Sequence, residues 1–300
     1  MKNIVQKYKG YGILFIGVLL GIIPYLATSY GFEFYPKANI VNVAFWSFLS
    51  GVVIPAPFFF ATQKNRQLII NEITQNKSLL LKVIVLSGIG VLFWFYSMKF
   101  GKSGIVSFLK KSDIVFTLIL GTFFLKEKIS KQEIVGAILA ILGFTVMSNA
   151  SLSEISIPAV VAIVVTQIFY VLQSFFVRRD GKKMNPFAFT FLRISGMTII
   201  ISLFGIITNQ ITLPNLDFIL IFGAGQIFGA FLYRVAYFEA HKYLEIAKIS
   251  IFLLISPVLI LLSSGLFLGE KLNTNKIIGA SIILLGLGIF TVGKIKKKQN

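Results

Sequence analysis

LKEKISKQEIVGAILAILG (Leu125–Gly143) returns 143 residues later as LGEKLNTNKIIGASIILLG (Leu268–Gly286). A Leu-x-Glu-Lys turn, the pairs Gly136-Ala137 and Gly279-Ala280, and the pairs Leu142-Gly143 and Leu285-Gly286 recur at one offset. Widening the match to Ser97–Ser148 against Ala240–Thr291 needs no gap and gives 13 identities in 52 positions. Apolar composition alone produces many such identities. Three motifs at one offset are harder to produce that way, and a repeat of this size sets the architecture. The chain divides into a first copy over residues 1–150 and a second over 151–300.

Composition says what is repeated. Hydrophobic residues make up 56% of the 300 and charged residues 13%. A soluble domain carries roughly 45–50% apolar and about 25% charged residues. Mean hydropathy is +0.85 over the whole length. A soluble enzyme and a disordered chain are both excluded. A spanning helix needs about 20 mostly apolar residues, and ten stretches qualify. They run near 11–31, 40–62, 78–98, 103–125, 132–150, 156–177, 186–208, 216–238, 245–268 and 275–293. Connections are short, the longest being 63–77. The fourth and ninth stretches hold polar residues, so hydropathy leaves their continuity open. The predicted fold is an all-α integral membrane protein of ten transmembrane helices in two five-helix repeats. Five is odd, so the second copy enters the membrane inverted. Inverted repeats are characteristic of secondary transporters with a site near the bilayer midplane.

The net charge of +18 suggests nucleic acid in a soluble chain. Here its placement matters more. With both termini on the cytoplasmic side, 18 Lys and Arg fall in inner segments and 5 in outer loops. The positive-inside rule supports that orientation, a plasma-membrane location, and no role for nucleic acid. Met1–Lys9 is basic like the start of a signal peptide. The apolar run after it is too long and lacks an A-x-A site, so it reads as a retained first span. Cysteine is absent and His241 is the only histidine. No disulfide, thiol chemistry or His-rich metal site is available. No Walker-type glycine loop is present, so neither ATP nor another cofactor is expected. Coupling would then use protons or a counter-substrate.

The segment Ser107–Gly143, SFLKKSDIVFTLILGTFFLKEKISKQEIVGAILAILG, and its echo over Ile249–Gly286 resemble the drug/metabolite transporter superfamily. Among its members the EamA-like ten-helix exporters are similar over essentially the whole chain. The small multidrug resistance proteins look like shorter relatives. The resemblance implies export by alternating access through a cavity lined by helices 1, 3, 4, 6, 8 and 9. Helices 5 and 10 would then be peripheral. Such exporters usually carry small or apolar residues in the middle of helix 4. This chain departs there.

Lys110, Lys111 and Asp113 fill the middle of the fourth stretch. A charge at the bilayer centre costs at least about 2.5–3.5 kcal/mol on insertion scales, so these residues are expected to face the interior. Lys110 and Asp113 share a helix face at i, i+3. Their repeat partners are Leu253, Leu254 and Ser256, which supply no acid. A structural ion pair with one snorkelling lysine is the alternative to a substrate role. Arg193 lies well inside the seventh stretch, where it can pair with Asp113 or bind substrate. Tyr25, Trp94, Gln167, Tyr170, Tyr233 and Ser256 are further substrate-site candidates, with packing as the alternative for each. Gln173 and Gln226 belong to the same polar set. Arg234, Glu239 and Lys248 read as a gate or interfacial ion pairs near Glu245. Pro24 and Pro257 read as hinges, because each removes a backbone hydrogen bond.

Excess interior cations favour anionic or zwitterionic metabolites, amino acids among them. A multidrug exporter of organic cations is the alternative. A membrane enzyme would have only the thin cluster Glu239, His241 and Lys242, and a channel or scaffold would not accumulate solute. Small-molecule substrate and lipid are the expected partners, and the state is monomer or homodimer.

Overall fold

A computed structural model of the chain describes residues 2–100, 116–117, 120–126, 130–148, 157–267 and 274–292. Lys110, Lys111 and Asp113 lie outside the described residues, as do Glu127, Lys128 and the second copy's turn at 268–273. No strand occurs among the described residues. Among the described residues six helices are long and apolar enough to cross a membrane: Tyr8–Phe34, Ile40–Ala61, Gln63–Ser97, Ile157–Lys183, Pro186–Ile207 and Leu216–Ala240. Lys131–Ser148 and Thr274–Val292 form the fifth and tenth spans. The ninth is in two pieces, Ile246–Phe252 and Ile255–Phe267.

Several spans start with side-chain caps, which satisfy free N–H groups of the first turn. The Asn39 side chain accepts from the N–H groups of Val41 and Asn42 at 2.8 and 3.2 Å. Asn185 does the same for Phe187 and Ala188 at 3.1 and 3.2 Å. At the fifth span Ser130 and Glu133 form a reciprocal capping box. The Ser130 N–H donates to Glu133 at 2.8 Å, and the Glu133 N–H to Ser130 Oγ at 3.3 Å.

Contacts sort the span ends into two faces. A Cβ at Gly10 would touch Tyr243 and Leu244, Glu72 meets Asn185, and Lys248 meets Glu133. These ends share the face of the amino end. Tyr35 meets Asn215, Asn42 meets Thr212, and Lys99 donates to the Ala38 carbonyl. Those ends share the opposite face. The described spans alternate between the faces as ten crossings require.

Two boundaries differ from the sequence expectation. The first helix begins at Lys2 and runs unbroken to Phe34. The segment 63–77, expected as the longest connection, is helical and continues into the third span as Gln63–Phe100. Ile69, Glu72, Asn76 and Leu79 are buried at three- and four-residue spacing, which is a helix face. Two of the four are polar, so hydropathy hid the stripe. Asn76 has φ −123° and ψ 21°, which kinks the helix where it joins the span.

The ninth span breaks at Leu253–Leu254, just before Pro257. Proline has no N–H for the carbonyl four residues back. The Leu253 carbonyl instead takes the Ser256 N–H at 3.0 Å.

The repeated glycines explain themselves in the contact between the fifth and tenth spans. A Cβ on Gly136 would lie 2.6 Å from the Gly286 carbonyl, and one on Gly143 2.8 Å from the Gly279 carbonyl. Gly279 is the repeat partner of Gly136, and Gly286 of Gly143. Each therefore faces the partner of the other, as a two-fold axis in the membrane plane requires. Without side chains between them, the two backbones approach directly.

Lys126 adopts a left-handed conformation, with φ 53°. Its repeat partner is Gly269, the residue that takes this conformation without strain.

Gly136→Leu is expected to lower the melting temperature of the detergent-purified protein by many degrees, because the new side chain meets backbone at 2.5 Å. Gly12 has nothing within 4 Å of an added Cβ, so Gly12→Ala should be neutral or stabilising by up to about 1 kcal/mol. Equal melting temperatures for the two variants would contradict the packing.

Candidate functional site

The eighth span brings the largest group of predicted site residues together. Its helix is widened into π turns over Leu220–Ala224 and Ile227–Tyr233. Glycines 223, 225 and 229 lie in or between these turns. Such turns often mark functional positions because they re-aim the side chains that follow. Close packing holds this helix against the first span. A Cβ on Gly229 would lie 2.3 Å from Pro24 Cγ, and one on Gly17 2.8 Å from Ala236 Cβ. Two Gly-x-x-x-Gly pairs, Gly17/Gly21 and Gly225/Gly229, face this contact. Pro24, predicted as a hinge, sits buried in it within a continuous helix.

Arg234 leaves the last π turn into a ring of tyrosines. Its guanidinium carbon lies 5.2 Å from the Tyr170 ring and 5.5 Å from the rings of Tyr233 and Tyr237. Ring faces attract a cation at these distances. A short relay fixes the cage: Ser174 Oγ donates to the Tyr170 carbonyl at 2.9 Å. Its one proton is then used, so the Tyr237 hydroxyl donates to Ser174 Oγ at 2.6 Å.

Arg193 of the seventh span is 2% exposed and sits beside this cage. Its guanidinium carbon is 5.7 Å from the Phe238 ring. One terminal nitrogen donates to Met197 Sδ at 3.0 Å and the other to the Ala230 carbonyl at 3.5 Å. Its Nε has no hydrogen-bond partner among the described residues. Arg193, Arg234 and Tyr170 lie within electrostatic reach of one another. Among the described residues no carboxylate pairs with either arginine. Arg193 is desolvated and Arg234 half-buried; two cations so placed repel each other, and an anion between them relieves that cost.

The other predicted residues spread around this pair. Gln167 is buried three residues before Tyr170 on the sixth span. Tyr25 is half-buried on the first span. Trp94, on the third, packs toward Ile163 near the opposite face. Ser256 follows the break in the ninth span. Among the described residues no group of three or more metal-ligating side chains occurs.

The predicted gate residues separate into two sets. Arg234 joins the tyrosine cage. Lys248, only 4% exposed, lies 3.8 Å from the fully buried Glu133 and pairs with Glu245. Glu239 pairs with Lys242 at 2.8 Å and accepts from Tyr243 at 3.0 Å. Tyr237, Ser174 and Glu133 were not among the predicted residues. Tyr237 follows Tyr233 by four, Ser174 follows Tyr170 by four, and Ser130-x-x-Glu133 is a capping sequence. Each signal was present in the sequence.

His241, just beyond the eighth span, is buried with no hydrogen-bond partner for either ring nitrogen among the described residues. Burial, then the charges of Arg178 and Arg234, push its pKa down to about 3. The unfolded chain titrates near 6.5 and so binds the proton first as pH falls. Stability is therefore lost below about pH 6.5, by about 1.4 kcal/mol per pH unit from this residue. His241→Phe should flatten that part of a melting-temperature profile between pH 4 and 6.5. An unchanged slope would contradict a neutral, buried His241.

Two segments of the chain, residues 33–149 and 157–292, match the EamA-like transporter family. The chain is 29% identical over 217 residues to an uncharacterized transporter of Archaeoglobus fulgidus, covering 69% of this chain and 76% of that one. It is 26% identical over 223 residues to a protein of Salmonella typhimurium named "probable amino-acid metabolite efflux pump", covering 67% and 72%. A protein of known crystal structure has the same fold, with a TM-score of 0.78 over 97% of this chain and 99% of that one at 14% identity.

Proposed function

Because this chain belongs to the EamA-like transporter family, we propose that it exports small anionic or zwitterionic metabolites, such as amino acids, by secondary alternating access. The observation that carries this reading is the pair of interior arginines. Arg193 is buried with an unused donor, Arg234 stands beside it, and no described carboxylate neutralises either. A substrate carboxylate supplies the missing charge, and charge-assisted hydrogen bonds to it are the strong kind. The tyrosines then wall the site, with Gln167 and Tyr25 as neighbouring polar groups.

The two matched segments act as two inverted halves that rock about the site. The name of the Salmonella relative supports export of amino-acid metabolites. The basic inner segments support a reading with both termini in the cytoplasm and the protein in the plasma membrane. No cofactor is required, and coupling is to protons or to a counter-substrate. An organic cation would use the tyrosine cage, but Arg234 already fills it. That weighs against the multidrug alternative.

Proteoliposomes loaded with single solutes test this reading. Amino acids should exchange against a labelled pool, and organic cations should not. Arg193→Met keeps the bulk and removes the charge, and should reduce exchange at least tenfold while the protein still folds by thermal melting. Robust cation exchange with no effect of Arg193→Met would overturn it.

A further inference from the structure

A buried hydroxyl on a helix can close on its own backbone by donating to the carbonyl four residues back. Three of the four hydroxyls within the seventh span do so. Ser195 donates to the Phe191 carbonyl at 2.9 Å, Thr198 to Ile194 at 2.9 Å and Ser202 to Thr198 at 2.7 Å. Thr190 is the exception. It is fully buried, and its Oγ1 has no hydrogen-bond partner among the described residues. The Pro186 carbonyl stands four residues back, and the hydroxyl does not take it. A buried hydroxyl left in this state costs stability.

Its position gives that cost a use. Thr190 precedes Arg193 by three residues, so the two share a helix face. A long helical side chain leans toward the turn on its amino-terminal side, and that turn carries Thr190. Arg193 Nε is a second buried polar atom on this face without a hydrogen-bond partner among the described residues. Packing against the eighth span sets the level. Arg193 reaches the Ala230 carbonyl, and the Phe189 ring lies 5.4 Å from the Phe238 ring. The two spans therefore run antiparallel between these contacts. Thr190 falls between the contacts on the seventh span, and Arg234 falls between them on the eighth.

We infer that the Thr190 hydroxyl is a third arm of the anion site, donating to a substrate carboxylate that also takes the Arg193 Nε–H. This rests on the reading of the arginine pair given above. A carboxylate offers about four acceptor positions on its two oxygens, so the guanidinium and the hydroxyl can both be satisfied. The two arginines attract any anion. A fixed hydroxyl adds direction, because it favours one orientation of the carboxyl group. Stability is given up at Thr190 for binding, as at other functional positions.

Thr190→Val keeps the shape and removes the hydroxyl, and Thr190→Ser keeps the hydroxyl. Without ligand, Thr190→Val should raise the melting temperature of the detergent-purified protein by about 2–4 °C, because an unpartnered polar group leaves the core. Calorimetric titration with the common amino acids selects the tightest binder, which is then compared with its amide. Thr190→Val should weaken binding of the acid at least about tenfold and of the amide less than about fivefold. Thr190→Ser should stay within about threefold of the unaltered protein for both ligands. A merely structural role would move acid and amide alike. A melting temperature that falls or stays put in Thr190→Val means a hydroxyl already satisfied, by a fixed water for example, and would overturn the inference. So would equal weakening of acid and amide, or acid binding within about twofold of the unaltered protein. If Arg193→Met abolishes acid binding and Thr190→Val leaves it intact, the substrate reading stands and the Thr190 arm alone falls. If the unaltered protein binds no amino acid, both fall.

Discussion

Direct backbone contact between the fifth and tenth spans is the constraint on which the architecture depends. Helices in lipid gain nothing from burying apolar surface against each other, so close packing must hold them. Here Gly136 and Gly143 meet the backbone around Gly286 and Gly279, and each glycine faces the repeat partner of the other. That arrangement fixes the second copy upside down relative to the first. Once it is set, the first span must meet the eighth as the third meets the sixth. The site residues on spans six, seven and eight then converge inside the bundle.

The same logic separates two uses of charge. Near the amino-end face, cations are paired: Lys248 with Glu133 and Glu245, and Lys242 with Glu239. Deeper in, Arg193 and Arg234 have aromatic rings, a thioether and a carbonyl for company. None of these neutralises a charge. Aromatic faces hold a guanidinium while leaving hydrogen-bond donors unused, as the Nε of Arg193 is among the described residues. Retaining unneutralised cations is costly in a membrane interior, and residues of that kind are functional by default.

Much of this was legible in the sequence. The offset of 143 residues exposed the repeat, and length with hydropathy located the spans. Arg193, Arg234, Tyr170 and Tyr233 were named from chemistry alone, and the structure brings them together. What stayed hidden has physical causes. Segment 63–77 looked like a loop because its buried face includes Glu72 and Asn76, which bond to each other while Glu72 also takes the Asn185 N–H from elsewhere in the fold. Arg234 looked like a partner for Glu239, because sequence distance says nothing of the π turns that swing it toward Tyr170. The asparagines at 39 and 42 carry no signal of a partner in the sequence. Only folding brings Thr212 and Gln210 against them. Glycine spacing was ambiguous in a chain with 25 glycines, and only the packing singles out those at the seams.

The central claim is that two interior arginines await a substrate anion. Calorimetric titration of the purified protein with an amino acid and with its uncharged-carboxyl analogue, the amino-acid amide, tests it most directly. A charge-assisted hydrogen bond contributes about 1.5–3 kcal/mol. The account therefore predicts that the amide binds roughly ten- to a hundredfold more weakly. It also predicts that Arg193→Met brings the two ligands to the same weak affinity. Equal binding of acid and amide by the unaltered protein would contradict it.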